Sequence, residues 1–466
     1  MKKILMITYD FPPARTSGIY RPVKFVKHLR AFGWEPIVLT VKNPGVLAHD
    51  DTLLKDIPSG VKVIRTLTID LFQLTKKFHD LLYRRKPVRD VSKAPAREDV
   101  RTNRAQPISA TQKKGWLKRY FFSPLNVFVE RWLFIPDQMI GWFPFAFFAA
   151  LRIMITEKPD VVFSTSTPQT SHLVGIFLKI LFRKPWIVDL RDNWFVGQEN
   201  FRKKSPRGRL DYWLFKQFLK RGDQVVTMCE GNAADLIEEF SVQNPSKYQA
   251  ITNGFDRDDF VGSSENDGNR QTGKLLMLHM GTLYGGTTGA FFEALAELYM
   301  EDSQVEKELE VLFIGYVGGQ YAQLIDHLGL RDKVKTPGFK PHPEAIRAMS
   351  DADVLLMFLG DRKVTNQQFP GKFFEYVNSE RFILALGKRG EIATALERSH
   401  CGVLVPHNDA KVIKDTIKDL VKRKRANQIS VTPDREFIAR YEYRNLTSEL
   451  VKVLEKAINK QDASMA

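Results

Sequence analysis

Short apolar runs recur along the chain and alternate with segments in which apolar residues return every three or four positions. Runs of about four to eight apolar residues are typical of buried strands, and the longer period is typical of amphipathic helices. The first run, Ile4–Thr8, is followed by a polar loop, a helical pattern over Arg21–Phe32 and a second run at Pro36–Val41. This order predicts βαβ units with parallel strands and right-handed crossovers.

The strand-like runs form two series. The first comprises Ile4–Thr8, Pro36–Val41, Val61–Arg65, Asp160–Ser164, Trp186–Asp189 and Gln224–Met228, and the second comprises Leu275–Met280, Leu309–Ile314, Val334–Thr336, Val354–Phe358, Phe382–Leu386 and Val403–Val405. Residues 263–273, between the series, contain no apolar side chain and predict a linker. A chain of 466 residues is also longer than one hydrophobic core ordinarily accommodates, which favours two domains. We predict an α/β protein of two doubly wound, Rossmann-like domains, residues 1–262 and 274–435, followed by a final helix (roughly Glu436–Asn459) within residues 436–466.

Basic residues are concentrated in one segment. The net charge of the chain is +16, and residues 84–119 contribute +9 of it, with twelve Lys or Arg and three acidic residues. Residues 84–115 are also poor in large apolar residues, which predicts an insertion without regular structure. The segment Trp116–Ile155 that follows is dense in aromatic residues.

Basic charge beside aromatic side chains favours docking on an anionic membrane surface. The alternative is that these aromatic side chains pack into the core of the first domain. Nucleic-acid binding is not predicted, because no motif for it accompanies the basic segment.

Cys229 and Cys401 are the two cysteines of the sequence, and they provide neither a disulfide framework nor the spacing of metal ligands. This composition indicates a reducing compartment. No apolar stretch of the sequence reaches the ~20 residues needed to span a bilayer. We therefore expect a cytoplasmic protein, peripheral on the inner face of the membrane, with no bound metal.

Candidate residues of the first domain lie in loops that follow strands, where parallel sheets bind their ligands. The loop Phe11–Gly18 precedes a helix, and Gly18 would let an anion approach the helix N-terminus. An ordinary turn fits these residues equally well. Asp189, Arg191 and Asp192 lie at the carboxyl end of a later strand, where charged side chains are costly to bury unless they pair or bind a ligand. A salt-bridged loop is the alternative there.

The loop after the first strand of the second domain offers small and hydroxyl-bearing residues, Gly281 and Thr282, which suit phosphate oxygens. Further along, Pro370 and Gly371 predict a helix start and place Lys372 in its first turn.

A cation is disfavoured at a helix N-terminus, and a bound anion such as a diphosphate would remove that conflict. Glu375 lies on the same helix face as Lys372, because the two residues are three positions apart. It is suited to accept hydrogen bonds from ribose hydroxyls. The alternatives are a plain turn at Gly281 and a solvated Lys–Glu pair on the helix.

The segment Gly371–Tyr376, with Phe382–Leu386 after it, resembles the donor-binding motif of glycosyltransferase family 4, a family of retaining enzymes with the GT-B fold. Further segments follow in the order of that family and extend the resemblance over nearly the whole chain: Phe11–Gly18, Ser164–Pro168, Asp189–Trp194, Asn253–Asp256, Gly281–Tyr284 and Gly338-Phe339. The resemblance is to members that synthesise bacterial surface polysaccharides.

The resemblance implies two domains that face a central cleft and a final helix that crosses back to the first domain. It implies that Lys372 contacts the donor diphosphate, Glu375 the ribose, and Gly338 and Phe339 the base, while the Gly18 loop helps to seat the donor phosphate or sugar. It also implies transfer with retention at the anomeric carbon, without a metal or a cofactor, since the nucleotide sugar is a substrate.

Together these observations predict a retaining glycosyltransferase that moves a sugar from a nucleoside diphosphate sugar to a glycan or lipid-linked saccharide acceptor in cell-surface polysaccharide synthesis. The predicted catalytic residues are Lys372, Glu375 and Asp192. Arg191 and Asp192 are assigned to the acceptor side of the cleft.

Two alternatives are a nucleotide-sugar epimerase on the same fold and a non-catalytic scaffold of a polysaccharide assembly complex. Gln367 stands where many members of the family carry a second glutamate, and Thr287 lies in a loop where many carry Arg or Lys.

Overall fold

A computed structural model describes residues 1–14, 16–43, 51–71, 134–192, 204–242, 244–260, 273–283, 289–359 and 369–465. The strands are β1 Lys2–Ile7, β2 Trp34–Val41, β3 Lys62–Thr66, β4 Val161–Ser166, β5 Trp186–Leu190, β6 Gln224–Thr227, β7 Tyr248–Ala250, β8 Leu275–Met280, β9 Leu309–Ile314, β10 Val334–Gly338, β11 Val354–Phe358, β12 Phe382–Leu386 and β13 Gly402–Val405. The helices are α1 Tyr20–Leu29, α2 Phe143–Thr156, α3 Thr170–Phe182, α4 Pro206–Arg221, α5 Glu230–Glu239, α6 Gly289–Glu301, α7 Ser303–Glu308, α8 Gly319–His327, α9 His342–Asp351, α10 Gly371–Asn378, α11 Glu391–Ser399, α12 Ala410–Arg425, α13 Arg435–Ala439 and α14 Tyr443–Met465.

The strands form two parallel sheets. The first has the order β3-β2-β1-β4-β5-β6-β7 and the second β10-β9-β8-β11-β12-β13. In each sheet the first three strands extend from the centre to one edge, and the later strands extend from the centre to the other edge. The strand order therefore reverses between β1 and β4 and between β8 and β11. Loops that leave adjacent strands in opposite directions open a crevice at such a point. The predicted doubly wound α/β architecture is confirmed.

The apolar runs of the sequence correspond closely to the observed strands, and β8, β9, β11 and β12 have the predicted bounds. The short edge strand β7 was not predicted, because its three half-buried residues give no apolar run.

The predicted final helix is two helices, α13 and α14, with a break between them. At the break, Phe255 N donates to the Tyr441 carbonyl (3.0 Å) and Tyr443 N donates to the Phe255 carbonyl (2.9 Å), so these backbone groups pair with the first domain instead of with a helix. Beyond the break, α14 packs against α1, and Leu450, Leu454 and Ala457 are buried there. The predicted linker lies outside the described residues, except Gly273.

The two faces of the first sheet are covered differently. Helices α1 and α14 cover one face, and α2, α3, α4 and α5 cover the other. On α2 and the turn before it, Trp142, Ala146 and Ala150 are buried, whereas Phe148 is 69% exposed. The aromatic-rich segment therefore supplies core residues, as the alternative interpretation held, and exposed ones as well. The basic insertion and the aromatic residues before position 134 lie outside the described residues.

In the described part of the chain, Gln138–Thr156 is long and apolar enough to cross a membrane by length and composition. This corrects the expectation that no such stretch exists. The stretch is apolar enough on average although it contains the polar Gln138 and the charged Arg152. A third of the stretch is buried inside the protein.

A buried ion pair joins α1 to the carboxyl end of β5. The Arg21 guanidinium donates to both carboxylate oxygens of Asp189, with a closest distance of 2.8 Å. Asp189 also accepts from Thr165 Oγ1 (2.6 Å), and Arg21 donates to the Thr252 carbonyl (2.7 Å). Both charges are almost fully buried. The pair thereby fixes α1, β4, β5 and the segment after β7 relative to one another.

We expect Asp189→Asn to lower the free energy of unfolding of the first domain by about 3–5 kcal/mol, because it leaves the buried Arg21 cation uncompensated. All seven tryptophans lie within residues 1–262, so tryptophan fluorescence during urea unfolding reports on that domain. Glu35→Gln, which breaks the more exposed pair between Arg30 and Glu35, is the control and should cost less than about 1 kcal/mol. Equal losses in the two variants would contradict the structural role of Asp189.

Candidate active site

Three glycines end the adjacent strands β8, β9 and β10. Gly281, Gly315 and Gly338 have φ angles of 113°, 135° and 82°, in the region that favours glycine. Gly281 N donates to the Ile314 carbonyl (2.7 Å), and Gly315 N donates to the Gly338 carbonyl (2.9 Å). A Cβ atom on Gly315 would lie 2.3 Å from the Gly281 carbonyl oxygen. Close packing of backbone on backbone therefore forms this edge of the second sheet.

Lys372 extends from α10 to the end of β8. The helix begins at Gly371, as predicted, after an extended Pro370. Lys372 Nζ donates to the Met280 carbonyl, and a Cβ on Gly281 would lie 2.3 Å from that nitrogen. One turn further along, the buried Tyr376 hydroxyl accepts from Met280 N (2.9 Å). Two hydrogen bonds thus hold the first turn of α10 against β8 and fix the position of the ammonium group.

The Lys372 ammonium group is held in a largely dehydrated position. Burial lowers the pKa of Lys372 to about 8, and the negative charge of Glu375 opposes that shift. Burial, reinforced by the Lys372 charge, holds the pKa of the neighbouring His279 well below its usual value, so His279 is neutral. Its Nδ1 lies 2.9 Å from the Leu356 carbonyl, which assigns it a structural role. A bound anion would offset the cost of keeping Lys372 charged there.

The structure brings the predicted donor residues of the second domain to a single edge: Gly281, Thr282, Gly338, Phe339, Gly371, Lys372 and Glu375 lie at the carboxyl ends of β8 and β10 and at the start of α10. The Phe339 side chain is 67% exposed there. The sequence interpretation missed Tyr316, which follows Gly315 and is 66% exposed at the same edge. Its position directly after an apolar run was the available signal. Tyr284, Thr287 and Gln367 lie outside the described residues.

In the first domain, Arg191 joins three loops that follow strands. Its guanidinium donates to the backbone carbonyls of Gly18, Ser166 and Thr167. Gly18 lies in a single 3-10 turn, Ser17–Ile19, and a Cβ there would come within 2.6 Å of Arg191 Nη1. Arg191 therefore holds the loops of the first domain in place through its own hydrogen bonds.

The acidic residues of this region have different environments. Asp189 pairs with Arg21 and is structural, as the salt-bridge alternative proposed. Asp192 is exposed and accepts a hydrogen bond from the Thr167 hydroxyl. Asp10, which the sequence interpretation missed although it follows β1, is also at this edge. Burial raises the pKa of Asp10, against the opposing effects of the Thr16 hydroxyl and the Arg191 charge.

The candidate site has one part in each domain. Among the described hydrogen bonds and ion pairs, none joins Arg191 or Asp192 to Lys372. Asn193 and Trp194 lie outside the described residues.

Residues 23–254 match the model of the family described as Glycosyl transferase 4-like domain. These residues are just under half of the chain and lie within the first domain, which is therefore similar to a glycosyltransferase 4-like domain. No curated protein matches the chain. The family match ends before the second sheet, so the likeness of the whole chain rests on solved structures.

HepE from Anabaena, in complex with UDP and glucose, has a TM-score of 0.59 and 15% identity, over 98% of this chain and 100% of HepE. Sucrose-phosphate synthase from Thermosynechococcus elongatus has a TM-score of 0.58 and 15% identity, over 99% and 100% of the two chains. A putative UDP-N-acetylglucosamine 2-epimerase from Listeria monocytogenes has a TM-score of 0.51 and 11% identity, over 98% and 97%. Together with the two parallel-sheet domains, these similarities confirm the GT-B fold.

The first domain carries the Gly18 loop, Arg191 and Asp192, and the second domain carries Lys372 and Glu375. Within the described ranges, no group of three or more His, Cys, Asp or Glu side chains is placed to hold a metal ion. Metal independence of the reaction stays a prediction.

We expect Gly315→Ala to destabilise the second domain by about 3 kcal/mol or more, because the new methyl group combines a strained φ with a clash against the Gly281 carbonyl. Gly329→Ala is the matched control: its φ is +67° with nothing within 4 Å of the new Cβ, so about 1 kcal/mol is expected. Thermal unfolding followed by circular dichroism measures the loss. Tryptophan fluorescence of the first domain should not change, and equal losses at positions 315 and 329 would contradict the packing argument.

Proposed function

We propose that this protein is a retaining glycosyltransferase that transfers a sugar from a nucleoside diphosphate sugar to an acceptor hydroxyl. The observation that carries the proposal is the Lys372 ammonium group, held beside Gly281 at the end of β8, where burial lowers its pKa. A diphosphate is the ligand that this arrangement favours, since its negative charge would add to that of Glu375 beside the buried cation. The HepE structure, which shares the fold, contains UDP and glucose.

In the proposed complex, Lys372 and the first turn of α10 bind the diphosphate, and Glu375 accepts hydrogen bonds from the ribose. Gly338 and Phe339 contact the base, and Gly281 and Thr282 lie beside the phosphates. In the first domain, the Gly18 loop approaches the donor phosphate or sugar. Asp192 is exposed on the acceptor side, and Arg191 positions the loops around it.

The reaction is a front-face substitution. The bond between the anomeric carbon and the diphosphate oxygen breaks, and the acceptor oxygen forms a bond to the same face of that carbon. The proton of the acceptor hydroxyl passes to the departing phosphate oxygen. Lys372 and the helix dipole stabilise the negative charge that develops on the diphosphate, an electrostatic effect that is strong in a dehydrated site. This scheme requires no metal and no cofactor.

We further propose that the acceptor is a growing surface glycan or a lipid-linked saccharide. The enzyme would then work in the cytoplasm, at the inner face of the membrane, in polysaccharide synthesis. The resemblance of the sequence to surface-polysaccharide enzymes supports this role.

Lys372→Ala should reduce sugar transfer by about 100-fold or more, because it removes the charge that stabilises the leaving diphosphate. Glu375→Ala should chiefly raise KM for the donor. Lys411→Ala is the matched control, since Lys411 is an exposed lysine at the second position of another helix, α12, and activity should not change. The measurement is transfer of labelled sugar from a panel of nucleotide sugars to a lipid-linked acceptor, with and without EDTA. Unchanged transfer in both site variants would exclude this site.

Binding of UDP should weaken as the pH rises through 8. In the protein without ligand, the pKa of Lys372 is about 8. If the diphosphate binds only when Lys372 is protonated, its affinity should fall by about tenfold per pH unit above that value. Lys372→Met should bind weakly and with no such dependence. Calorimetry at several pH values in buffers of different ionisation enthalpy measures both the affinity and the uptake of a proton. A wild-type affinity that stays constant from pH 7 to about pH 10 would contradict the role of Lys372.

The second candidate is a nucleotide-sugar epimerase, which the similarity to the Listeria monocytogenes structure favours. Incubation of nucleotide sugars without an acceptor distinguishes the two activities, because an epimerase would still form a new nucleotide sugar. A complete absence of donor binding in calorimetry would instead support the non-catalytic scaffold.

A further inference from the structure

Helices α2, α3 and α4 lie side by side and present large apolar side chains to solvent. Phe143 and Phe147 of α2 contact Phe177 of α3, with ring centroids 5.4 and 5.7 Å apart. We call the outward surface of these helices the α2–α4 face. Its exposed large apolar side chains are Phe148, Ile155, Phe177, Ile180, Leu181, Leu210 and Trp213. Three adjacent helices thus share one apolar exterior, on the side of the sheet away from α1 and α14.

The charges on this face are of one sign. The basic residues of the three helices are Arg152, Lys179, Arg207, Arg209, Lys216, Lys220 and Arg221. Their single acidic residue, Asp211, is buried and pairs with Arg207. Of the acids nearby in sequence, Glu157 is paired with Lys3 and Lys62, and Asp223 is paired with Lys179. Exposed acidic side chains begin on the next helix, α5, with Glu230 and Glu238.

Apolar side chains surrounded by basic ones match the chemistry of one kind of surface. An anionic bilayer accepts the aromatic and aliphatic side chains at the boundary of its acyl chains, while its phosphates neutralise Lys and Arg. Phe148 and Trp213 are 69% and 56% exposed. Clustered large apolar side chains at the surface of a protein mark a site of interaction with a membrane or a partner. The buried side of α2 belongs to the domain core, including Ala146 and Ala150. The apolar stretch Gln138–Thr156 would therefore lie along a membrane and not cross it.

We propose that the α2–α4 face docks this protein on an anionic phospholipid bilayer. The use of such docking, delivery of a lipid-linked acceptor, rests on the proposed function, but the binding itself does not. The docking surface is a defined helical face, whereas the sequence-based prediction combined the basic insertion at residues 84–115 with the aromatic-rich segment Trp116–Ile155, whose last part is α2.

The test is flotation of the full chain with vesicles of phosphatidylcholine, alone or mixed with phosphatidylglycerol. The wild type should float with the anionic vesicles. The pair Phe148→Ser and Ile180→Ser should weaken that binding by about tenfold or more, because it removes inserted apolar area. The set Arg152→Gln, Lys216→Gln and Lys220→Gln should weaken it by about tenfold or more on anionic vesicles and abolish its salt dependence.

Matched controls lie on the second domain. Met300→Ser removes a side chain that is 80% exposed, and Lys418→Gln with Lys422→Gln removes two exposed charges of α12; neither should alter flotation. Deletion of residues 84–115 separates the insertion from the face: binding that survives the deletion but is lost in the face variants supports the proposal.

No flotation of the wild type, or flotation unaffected by the face variants, would overturn the proposal. Self-association in sedimentation that the same variants abolish, without vesicle binding, would also overturn it and make the face a protein interface. Transfer to a water-soluble acceptor analogue should be unchanged in the face variants. Failure of docking and failure of the proposed catalysis are thereby distinguishable.

Discussion

The buried pair between Arg21 and Asp189 is the interaction on which the geometry of the first domain depends. A charge almost fully removed from water is tolerated only if its partners are in place, and here they come from α1, from β5 and from the segment that leads towards the second domain. The ion pair fixes the carboxyl end of β5. Arg191, two residues after Asp189, then holds the Gly18 and Thr167 loops by donating hydrogen bonds to their carbonyls. The cleft side of this domain is thus built outward from one ion pair.

The second domain reaches its site by backbone packing. Glycines at the ends of β8 and β9 allow main chain to approach main chain, and the hydrogen bonds of Lys372 and Tyr376 to Met280 fasten α10 to this edge. The consequence is a largely buried cation whose pKa is lowered by that burial, held beside the backbone at the end of β8. Such a cation is poised to bind an anion, which is why the proposed diphosphate site lies here.

The helices on the two faces of the first sheet differ in how much apolar surface they expose. The face under α1 and α14 is closed by the returning C-terminal helix, which gives the domain a fully covered core. The opposite face has a covered interior and an exposed apolar exterior. The same helix, α2, therefore contributes to the core through Ala146 and Ala150 and exposes Phe148 on its other side.

Much of the fold and of the donor side could be predicted from the sequence, because local patterns determine them. Buried parallel strands are continuous apolar runs, and α10 begins at Gly371 directly after Pro370, as the sequence predicted. Tertiary structure decided what depends on partners distant in the chain. Asp189 and Asp192 look alike in sequence, yet one pairs with Arg21 and the other is exposed. The break between α13 and α14 exists because Phe255, far away in sequence, takes the hydrogen bonds. Likewise, only packing distinguished Trp142, which is buried just before α2, from Phe148, which is exposed on it. A helical period shows that two faces of a helix differ, and not what each face contacts.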